Sequence, residues 1–383
     1  MLRLAFDAKR VFTNFTGLGN YSRTLLRNLS YYYPDFAYFL YTPAIVRHPE
    51  TRIFLNSPLF SVHYPRQWER PLWKKQKLGR LVNKHKIDLF HGLTNELPAA
   101  LDRKSCCQVV TIHDLAFKQH PEFVSLPKRL QLESQVSHAI RQADHIVVPS
   151  RSTRNDVRRH YAVPESRLSV IYQSCSERFL QEKSAALLQE VINRYRLPDT
   201  YLLFVGALTA RKNLIGVLEM LRQFVPSERP PLVVVGTGKA YEKKALRYLQ
   251  KHQLQKWVHF VQPDFDDLPA LFQKASVFVY PSLYEGFGIP VLEALFSKTP
   301  VVTAQTTALP EVAGPSALLI DPQDPEAMKA AVVQFLSDDA FRQKAIETGY
   351  QYAQRFRGEP VSEKLVDLYR DLLGADDLEG AEL

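Results

Sequence analysis

The chain has 383 residues, of which 45% are hydrophobic and 23% charged, a composition typical of a globular protein and not of a disordered one. At roughly 100–200 residues per domain, this length predicts two domains. Because no apolar stretch approaches the roughly 18 residues of a membrane span, we expect no transmembrane helix. The first apolar run is too short and too soon charged for a signal peptide. Three cysteines without disulfide or zinc spacing favour a reduced, cytoplasmic protein.

Positive charge is concentrated in the first half of the chain. Met1–Val170 carries 26 Lys and Arg against 13 Asp and Glu, a net charge of +13, whereas the remainder carries 23 against 27 and has a net charge of −4. This asymmetry predicts that the first half faces an anionic partner. A membrane surface, a lipid phosphate and a nucleic acid are the candidates.

Short apolar segments alternate with helical patterns along the first half, an arrangement that builds parallel sheets from β-α-β units. Tyr21–Leu29 and Leu130–Arg141 have the spacing of helices. The predicted strands are Leu2–Phe6, Ile87–Phe90, Val109–Ile112, His145–Val148 and Leu168–Ile171.

The second half repeats this alternation after Glu177–Leu197, which is polar, helix-prone and without a strand signal. We therefore predict two Rossmann-like α/β domains whose parallel sheets face each other across a cleft, with ligands at the carboxyl ends of the strands. The predicted strands are Leu202–Val205, Leu232–Val235, Val258–Val261, Val277–Val279, Pro300–Thr303 and Leu318–Ile320. The predicted closing helices are Pro325–Leu336, Ala340–Gln354 and Val361–Leu373.

The segment Tyr280–Glu293 combines a strand end, a glycine turn and a helix start. Gly288 permits close approach of a ligand to the backbone, and Pro290 suits the first turn of a helix. The unpaired amides of such a turn bind phosphate. Glu285 and Glu293 could reach different parts of one extended ligand, because carboxylates accept hydrogen bonds from sugar and ribose hydroxyls.

Two adjacent cations, Arg211 and Lys212, stand between the strand Leu202–Val205 and a helix. Such a pair suits the concentrated negative charge of a diphosphate. Thr16–Asn20 is a Gly-x-Gly turn after the first strand, and it lacks the full dinucleotide-binding pattern. His113 follows the strand Val109–Ile112, and Asp114 is predicted to cap a helix or a loop.

Tyr280–Glu293 resembles the Glu-x7-Glu motif of retaining glycosyltransferases of the GT-B fold, specifically glycosyltransferase family 4 (group 1). In overall appearance the chain is similar to bacterial mannosyltransferases of polysaccharide and glycan assembly. The resemblance covers most of the chain, because further marks of the family follow in order. It implies an acceptor-binding domain over residues 1–178, a linker over 179–196 and a nucleotide-sugar-binding domain over 197–355. It also implies a C-terminal helix with an acidic tail, over 356–383, that returns to the first domain.

The resemblance also implies a role for each motif. Arg211 and Lys212 would neutralise the departing nucleoside diphosphate, Thr16–Asn20 would close over the donor phosphates, and His113 would touch the transferred sugar. Many members carry a basic residue where this chain has Ala207, so part of that charge is missing here or is supplied elsewhere. The implied catalytic residues are His113, Arg211, Lys212 and Glu285. The implied donor-binding residues are Gly17, Gly19, Gly206, Gly236, Gly238, Phe287, Gly288, Ile289 and Glu293.

Two loops of the second half resemble the family's walls around the nucleotide base, Val235–Lys239 and Gln262–Leu268. Elsewhere, Arg66–Arg80 holds two tryptophans among Lys and Arg. Two interpretations of that segment stay open. It anchors the protein on anionic lipid at the inner face of the membrane, or it packs Trp68, Trp73 and Leu78 inward as an amphipathic helix.

The predicted function is retaining transfer of a hexose, with mannose from GDP-mannose as the first interpretation, to a glycan or lipid-linked acceptor. We expect no separate cofactor and no metal, because cations occupy the place where a metal would act. A nucleotide-sugar epimerase, a non-catalytic nucleotide-sugar-binding protein and a nucleic-acid binder are the alternatives. The basic first half argues against the epimerase, the complete motif set against the non-catalytic protein, and the lack of a recognition motif against the nucleic-acid binder.

Overall fold

The computed structural model describes residues 1–67, 73, 77–99 and 101–374. The chain divides into two compact units. The first unit is Met1–Ser174 together with the described chain from Phe356 onward, and the second is Cys175–Arg355. Each unit contains one parallel sheet with helices packed on it.

The first unit has a seven-stranded parallel sheet in the order β3-β2-β1-β4-β5-β6-β7. Its strands are β1 (Arg3–Asp7), β2 (Ala37–Tyr41), β3 (Phe60–His63), β4 (Leu89–Gly92), β5 (Cys107–Thr111), β6 (His145–Val148) and β7 (Leu168–Val170). Its helices are α1 (Lys9–Thr13), α2 (Gly17–Tyr32), α3 (Arg52–Asn56), α4 (Leu78–Lys84), α5 (Ala116–Gln119), α6 (Leu126–Gln142), α7 (Arg151–Tyr161) and α16 (Gly358–Leu373).

The second unit has a six-stranded parallel sheet in the order β10-β9-β8-β11-β12-β13. Its strands are β8 (Leu202–Val205), β9 (Leu232–Val235), β10 (Val258–Val261), β11 (Val277–Tyr280), β12 (Val301–Ala304) and β13 (Leu318–Ile320). Its helices are α8 (Ala185–Arg194), α9 (Leu214–Arg222), α10 (Lys239–Lys251), α11 (Leu268–Lys274), α12 (Ile289–Phe296), α13 (Leu309–Ala313), α14 (Pro325–Ser337) and α15 (Asp339–Ala353). The order reverses beside β8 in this sheet and beside β1 in the first, and such switch points are where open α/β sheets bind ligands.

The segment predicted as a linker, residues 179–196, differs from that prediction because it lies within the second unit. It contains α8, whose first turn is capped by Ser184, since its hydroxyl accepts a hydrogen bond from the amide of Leu187. Arg194, at the end of α8, pairs with Asp267 at 2.6 Å. The helix is therefore a packed element of the unit and not a free connection.

The last described helix, α16, packs on α2 of the first unit. Its buried residues recur every three to four positions, the spacing of one helix face: Val361, Ser362, Leu365, Val366 and Tyr369. A Cβ atom built on Gly358 would lie 2.7 Å from the side chain of Asn28 on α2, so the first turn of α16 sits close against that helix. Across the described ranges of the chain, no helix has the length and apolar character to cross a bilayer.

The segment Arg66–Arg80 packs at least one of its tryptophans inward. Trp73 and Leu78 are each 3% exposed and belong to the same buried cluster as Phe39 and Tyr41 of β2. The membrane-anchor interpretation is therefore wrong for Trp73, because an indole ring in the core is not available to lipid. Trp68 lies outside the described residues.

Candidate active site

The turn between β11 and α12 is built as the sequence predicts. Gly288 has φ +119°, a backbone conformation that L side chains rarely adopt, and an added Cβ atom would lie 2.8 Å from Leu309. The helix then begins at Ile289, with Pro290 in its first turn. Phe287, 4% exposed, fixes the turn to the interior of the unit. The first amides of α12 are consequently held at the carboxyl end of β11, the arrangement that binds phosphate.

Glu285 is the centre of a buried ionic cluster at this turn. Its two carboxylate oxygens lie 2.8 Å from a guanidinium nitrogen of Arg211 and 2.5 Å from the ammonium of Lys212. The hydroxyls of Ser282 and Tyr280 also donate hydrogen bonds to it, at 2.6 and 3.0 Å. The structure therefore brings together three of the four predicted catalytic residues, from the ends of β8 and β11.

The electrostatics of the cluster keep Glu285 ionised. Burial alone would raise its pKa, but the positive charges of Arg211 and Lys212 and the hydrogen bonds to the carboxylate hold that pKa at about 2. One carboxylate between two cations leaves a net positive charge. Arg211 keeps a quarter of its side chain exposed, whereas Lys212 is nearly enclosed, so Arg211 is the cation that a ligand meets first.

Tyr280 and Ser282 organise this cluster, and the sequence reasoning assigned them no role. The ammonium of Lys212 donates to the Tyr280 hydroxyl and lies 4.8 Å from the centre of its ring. The Ser282 hydroxyl also approaches the backbone oxygen of Arg211 at 3.0 Å. Both residues lie inside the Tyr280–Glu293 motif, which was the available signal. Their partners Arg211 and Lys212 follow a different strand, β8, so the contacts are visible only in the fold.

Glu293, on the second turn of α12, has the opposite electrostatic character. It is 9% exposed, and burial raises its pKa to about 8, with partial opposition from the positive charge of Arg178. The carboxyl group therefore holds a proton at neutral pH in the free protein. A ligand whose hydroxyl groups donate hydrogen bonds to the Glu293 carboxylate would favour the ionised form.

The glycines after β8 and β9 allow two loops to touch. The amide of Gly206 donates to the oxygen of Val235 at 2.9 Å, and an added Cβ atom on Gly236 would lie 1.9 Å from the oxygen of Gly206. Gly238 is similarly close to Leu208, with 2.0 Å from its added Cβ atom to the oxygen of Leu208. Close packing of the two loops against each other accounts for these glycines. Their contact with a donor stays a prediction.

The other predicted wall, Gln262–Leu268, contains an Asp-x-Asp triplet, Asp264–Asp266, a pattern known from metal-dependent transferases. Asp266 pairs with Arg178 at 3.0 Å. In the part of the chain that the structure describes, no group of three or more His, Cys, Asp or Glu side chains is placed to hold a metal. Because the triplet exists, the expectation of metal independence depends on the cationic pair Arg211 and Lys212.

In the first unit, the predicted glycine loop is the first turn of a helix. The helix α2 starts at Gly17, four residues before the predicted Tyr21, so Gly17 and Gly19 are helical. Asn14 holds this turn, because its side-chain oxygen accepts hydrogen bonds from the amides of Thr16 and Gly19 at 2.9 and 3.2 Å. A Cβ atom on Gly17 would meet nothing within 4 Å, which leaves open space beside the helix start. Gly17 and Gly19 therefore belong to an oriented set of helix amides and not to the predicted loop.

His113 is 5% exposed, and both of its ring nitrogens have partners inside the unit. Nε2 lies 2.8 Å from the carbonyl oxygen of Leu93, to which it must donate, so Nδ1 accepts from the Gln173 amide at 3.0 Å. Burial lowers the pKa of His113, which keeps the ring neutral. His113 is therefore suited to a neutral contact and not to proton transfer. The partner Gln173 was missed, because nothing in its sequence context separates it from other polar residues.

A buried chain of hydrogen bonds stands behind His113. The Tyr369 hydroxyl of α16 and Nδ1 of His91 are 2.5 Å apart, and Nε2 of His91 is 2.8 Å from the Thr111 hydroxyl. Thr111 in turn contacts the Tyr21 hydroxyl at 3.2 Å, and the Tyr21 ring packs edge-on against His113 with centroids 4.6 Å apart. Burial lowers the pKa of His91 to about 3 and raises that of Tyr21 to about 12, so the chain carries no charge near neutral pH.

Comparison with known proteins agrees with this geometry. The family model of group 1 glycosyl transferases matches residues 189–352, and that of glycosyltransferase family 4 matches residues 15–174. O-antigen chain mannosyltransferase B from Escherichia coli is 32% identical over 292 residues, which are 75% of each chain. O-antigen chain mannosyltransferase RfbU from Salmonella typhimurium is 27% identical over 227 residues, 59% of this chain and 60% of its own.

Among solved structures, Anabaena Alr3699/HepE in complex with UDP-glucose matches with a TM-score of 0.78 and 15% identity, over 97% of this chain and 100% of that one. At this identity the likeness concerns the fold, two Rossmann-like units of the GT-B class. The fold, the two matched family models and the 32% identity to a relative over three quarters of each chain lead to one conclusion. The chain belongs to the glycosyltransferases of group 1 and family 4, and the protein is a glycosyltransferase.

Proposed function

We propose that the protein is a retaining mannosyltransferase that moves mannose from GDP-mannose to a hydroxyl of a glycan or lipid-linked acceptor. The ionic cluster of Arg211, Lys212 and Glu285 at the start of α12 is the observation that carries the proposal. Its net positive charge and the helix amides suit a leaving diphosphate. The choice of mannose is supported by relatives whose names are O-antigen chain mannosyltransferases.

In the proposed reaction, the bond between the anomeric carbon and the diphosphate oxygen breaks while the acceptor oxygen attacks from the same face. The departing diphosphate takes the acceptor proton, so no protein nucleophile is required. Arg211 and the first amides of α12 stabilise the charge that builds on the diphosphate. Because Glu285 fixes both cations before the substrate arrives, little reorganisation is needed during the reaction.

The remaining groups bind and orient the donor. Glu293 accepts hydrogen bonds from ribose hydroxyls after it loses its proton, and the loops after β9 and β10 border the base. His113, neutral and held by Leu93 and Gln173, contacts the transferred sugar without exchanging a proton. The protein thus supplies electrostatic stabilisation and orientation, the two largest contributions available to group transfer without a nucleophile.

A panel of nucleotide sugars tests the proposal. GDP-mannose should raise the melting temperature more than GDP-glucose, UDP-glucose or UDP-N-acetylglucosamine, and GDP release should depend on an added mannosylated glycolipid. NMR of the product should show the same anomeric configuration as the donor. Preference for another donor refutes the mannosyl assignment, and an inverted product refutes retention. GDP release without an acceptor product would indicate a different activity.

We also propose that the basic first unit holds the enzyme at the inner face of the membrane. The net charge of +13 over Met1–Val170 supports this, since each Lys or Arg near an anionic surface contributes about 1 kcal/mol. Flotation with phosphatidylglycerol vesicles should decrease with salt, because counter-ions screen the attraction. Lys74→Glu with Lys75→Glu tests the contribution of Arg66–Arg80. Unchanged flotation of that variant excludes the segment, and no flotation of the wild type at any salt excludes the membrane.

A further inference from the structure

The loop between β12 and α13, residues 305–308, contacts the turn that carries Glu285. In the six-stranded sheet β11 lies between β8 and β12, so the turn after β11 has the ends of both strands as neighbours. Arg211 and Lys212 reach this turn from the side of β8. The loop 305–308 reaches it from the side of β12, and the sequence reasoning assigned that loop no role.

Two hydrogen bonds join this loop to the main chain of Glu285. The amide of Glu285 donates to the hydroxyl oxygen of Thr307 at 3.1 Å, and the amide of Ala308 donates to the carbonyl oxygen of Glu285 at 3.4 Å. Leu309 continues the contact, because its side chain lies 2.8 Å from the position that a Cβ atom on Gly288 would take. Both backbone polar groups of Glu285 are therefore held by one loop, which fixes the point where its side chain begins.

Thr307 makes its contact in a backbone conformation that suits it poorly. Its φ is +58°, in the left-handed region, where the main chain crowds a branched Cβ atom. Seven other residues besides glycine have a positive φ in the described part of the chain, and none of those seven has a branched Cβ atom. A glycine would take this φ without crowding, but it has no hydroxyl to accept the amide of Glu285. Such an outlier beside a candidate site indicates a role for the side chain.

The position of Glu285 decides where the cations of the ionic cluster point. Its carboxylate lies 2.8 Å from the Arg211 guanidinium and 2.5 Å from the Lys212 ammonium. Arg211 also donates to the carbonyl oxygen of Tyr284, the residue before Glu285, at 2.7 Å. A shift of the main chain at this turn would therefore displace the guanidinium at both contacts. Displacement of a catalytic group by about 1 Å can lower a rate by about 100-fold.

We propose that Thr307 is a positioning residue for glycosyl transfer. Its hydroxyl fixes the main chain of Glu285, and Glu285 in turn holds Arg211 and Lys212 in the orientation that receives the leaving diphosphate. The inference rests on the proposed function, and Thr307 acts through Glu285. The strained backbone is retained because glycine, the residue that suits this φ best, lacks the hydroxyl.

Three variants separate the hydroxyl of Thr307 from its backbone. Thr307→Val keeps the branched shape without the hydroxyl, Thr307→Gly removes both, and Thr307→Ser keeps the hydroxyl. Turnover is the acceptor-dependent release of nucleoside diphosphate from the donor that the panel of nucleotide sugars selects. It should fall about 10- to 100-fold in the Val and Gly variants and stay within about twofold of the wild type in the Ser variant. The Gly variant should nevertheless melt at a higher temperature than the Val variant, since glycine accepts a positive φ.

Two results at this position would overturn the proposal. One is a Gly variant with the turnover of the wild type, which would show that the hydroxyl is not needed. The other is a Ser variant that loses as much turnover as the Val variant, which would show that the hydroxyl is not sufficient.

A double variant tests whether Thr307 acts through the ionic cluster. In the Arg211→Ala background, Thr307→Val should lower turnover by no more than about threefold further, because residues that act as a unit have non-additive effects. If Thr307→Val caused the same loss in that background as in the wild type, it would act independently of Arg211, and the proposal would be wrong.

The matched controls are Ser184→Ala and Gln253→Gly, both in the second unit. The Ser184 hydroxyl also accepts a backbone amide, that of Leu187 at 3.3 Å, and Gln253 also has a positive φ, of +55°. Ser184→Ala should lower the melting temperature through loss of a helix cap, and both variants should keep the turnover of the wild type. If Ser184→Ala lost as much turnover as Thr307→Val, the effect would be one of stability and not of position.

Calorimetry with inorganic pyrophosphate repeats the test without a donor sugar or an acceptor. Thr307→Ser should bind pyrophosphate as the wild type does, whereas Thr307→Val and Thr307→Gly should bind it at least about threefold more weakly, because their cluster is less preorganised. If Arg211→Ala weakens this binding and Thr307→Val does not, the proposal for Thr307 is wrong and the proposed function is unaffected. If Arg211→Ala binds pyrophosphate as the wild type does, the diphosphate site of the proposed function is itself wrong, and Thr307 loses its role with it.

Discussion

The carboxyl edges of the two sheets carry opposite kinds of polar group. In the second unit, Glu285 and two cations form a buried charged cluster with a net positive charge. In the first unit, the groups behind His113 are all neutral and joined by hydrogen bonds. The same kind of fold therefore holds paired charges in one unit and a neutral hydrogen-bonded network in the other.

The difference follows from the cost of burial. A buried charge is tolerated when it is paired, and the pairing of Glu285 lowers its pKa to about 2 in spite of burial. His91 has the hydroxyls of Tyr369 and Thr111 as its partners, and burial, with a smaller contribution from nearby His113, lowers its pKa to about 3. The second unit should therefore respond strongly to loss of charge, whereas the folded groups of the first unit should keep their neutral state as pH changes near neutrality.

The largest effect is expected from Arg211→Ala. Loss of one preorganised electrostatic contact to the leaving group typically costs about 3–4 kcal/mol, so turnover should fall about 100- to 1,000-fold. The fold should persist, because Arg211 is partly exposed and Lys212 still pairs with Glu285. Steady-state kinetics together with a melting curve measure both effects.

A matched control for that variant is Arg342→Ala. Arg342 belongs to the same unit, has 29% of its side chain exposed and pairs with Asp339 at 2.8 Å, but it lies on α15 away from the site. Its turnover should equal that of the wild type. If Arg211→Ala retained more than half of normal turnover, the assignment of Arg211 to the leaving diphosphate would be wrong.

A smaller effect, dependent on pH, is expected from Glu293→Gln. The folded pKa of about 8 lies above the ordinary value of 4.5, so the folded state keeps a proton that the unfolded state releases. The contribution of Glu293 to stability is complete below about pH 4.5 and is lost as pH rises through 8. In denaturant titrations, the free energy of unfolding of the variant should equal that of the wild type near pH 4.5 and exceed it by about 3 kcal/mol at pH 7.

Binding should show the opposite trend at the same residue. If the ionised carboxylate accepts ribose hydroxyls, GDP should bind the wild type more tightly as pH rises from 6 to 8. The Gln variant should bind GDP weakly at every pH in that range. A wild-type affinity that does not change with pH, measured by calorimetry, would remove Glu293 from the nucleotide site.

Tyr369→Phe should have a modest effect, on stability and not on chemistry. It removes the hydroxyl that meets His91 and leaves a buried nitrogen without its partner, at a cost of about 1–2 kcal/mol. This cost should be the same at every pH between 5 and 8, because the pKa of His91 is about 3 and the folded ring stays neutral over that range. Tyr31→Phe, at a tyrosine that is 73% exposed, is the control. A collapse of turnover without loss of stability would show that the network takes part in catalysis.

The strands of this protein could be predicted where they are buried on both faces. His145–Val148 and Leu232–Val235 have the predicted bounds, because a continuous apolar run is typical of a central parallel strand. The strands β2 and β3 were missed. β2 is rich in tyrosine and phenylalanine, and β3 is a short edge strand that includes Ser61 and His63, so neither shows the continuous aliphatic run of a central strand.

The candidate site was predictable only where its residues are close in sequence. Tyr280–Glu293 specifies a strand, a turn and a helix, so Glu285 and Gly288 could be placed in advance. Gln173 could not, because its partner His113 is 60 residues away in the sequence and only the fold brings the two together. Asn14 bonds locally to the amides of Thr16 and Gly19, and no role was predicted for it. The helical state of Gly17 was missed because glycine has a low helix propensity and its presence suggested a loop.

The smallest expected effect is that of a chelator, which should leave turnover unchanged. The reason is the net positive charge of the ionic cluster of Arg211, Lys212 and Glu285, which already balances part of the charge of the diphosphate. A divalent ion would have to compete with Arg211 and Lys212 for the same phosphate oxygens. Turnover is measured after dialysis against EDTA and again with added magnesium or manganese. The triplet Asp264–Asp266 is the alternative source of metal dependence, so Asp264→Asn with Asp266→Asn is assayed beside it. Complete loss in EDTA with recovery in metal would contradict the prediction. If the Asn variant also failed to recover, the triplet would be the metal site, and the second unit would stabilise the leaving group with a bound ion instead of its own side chains.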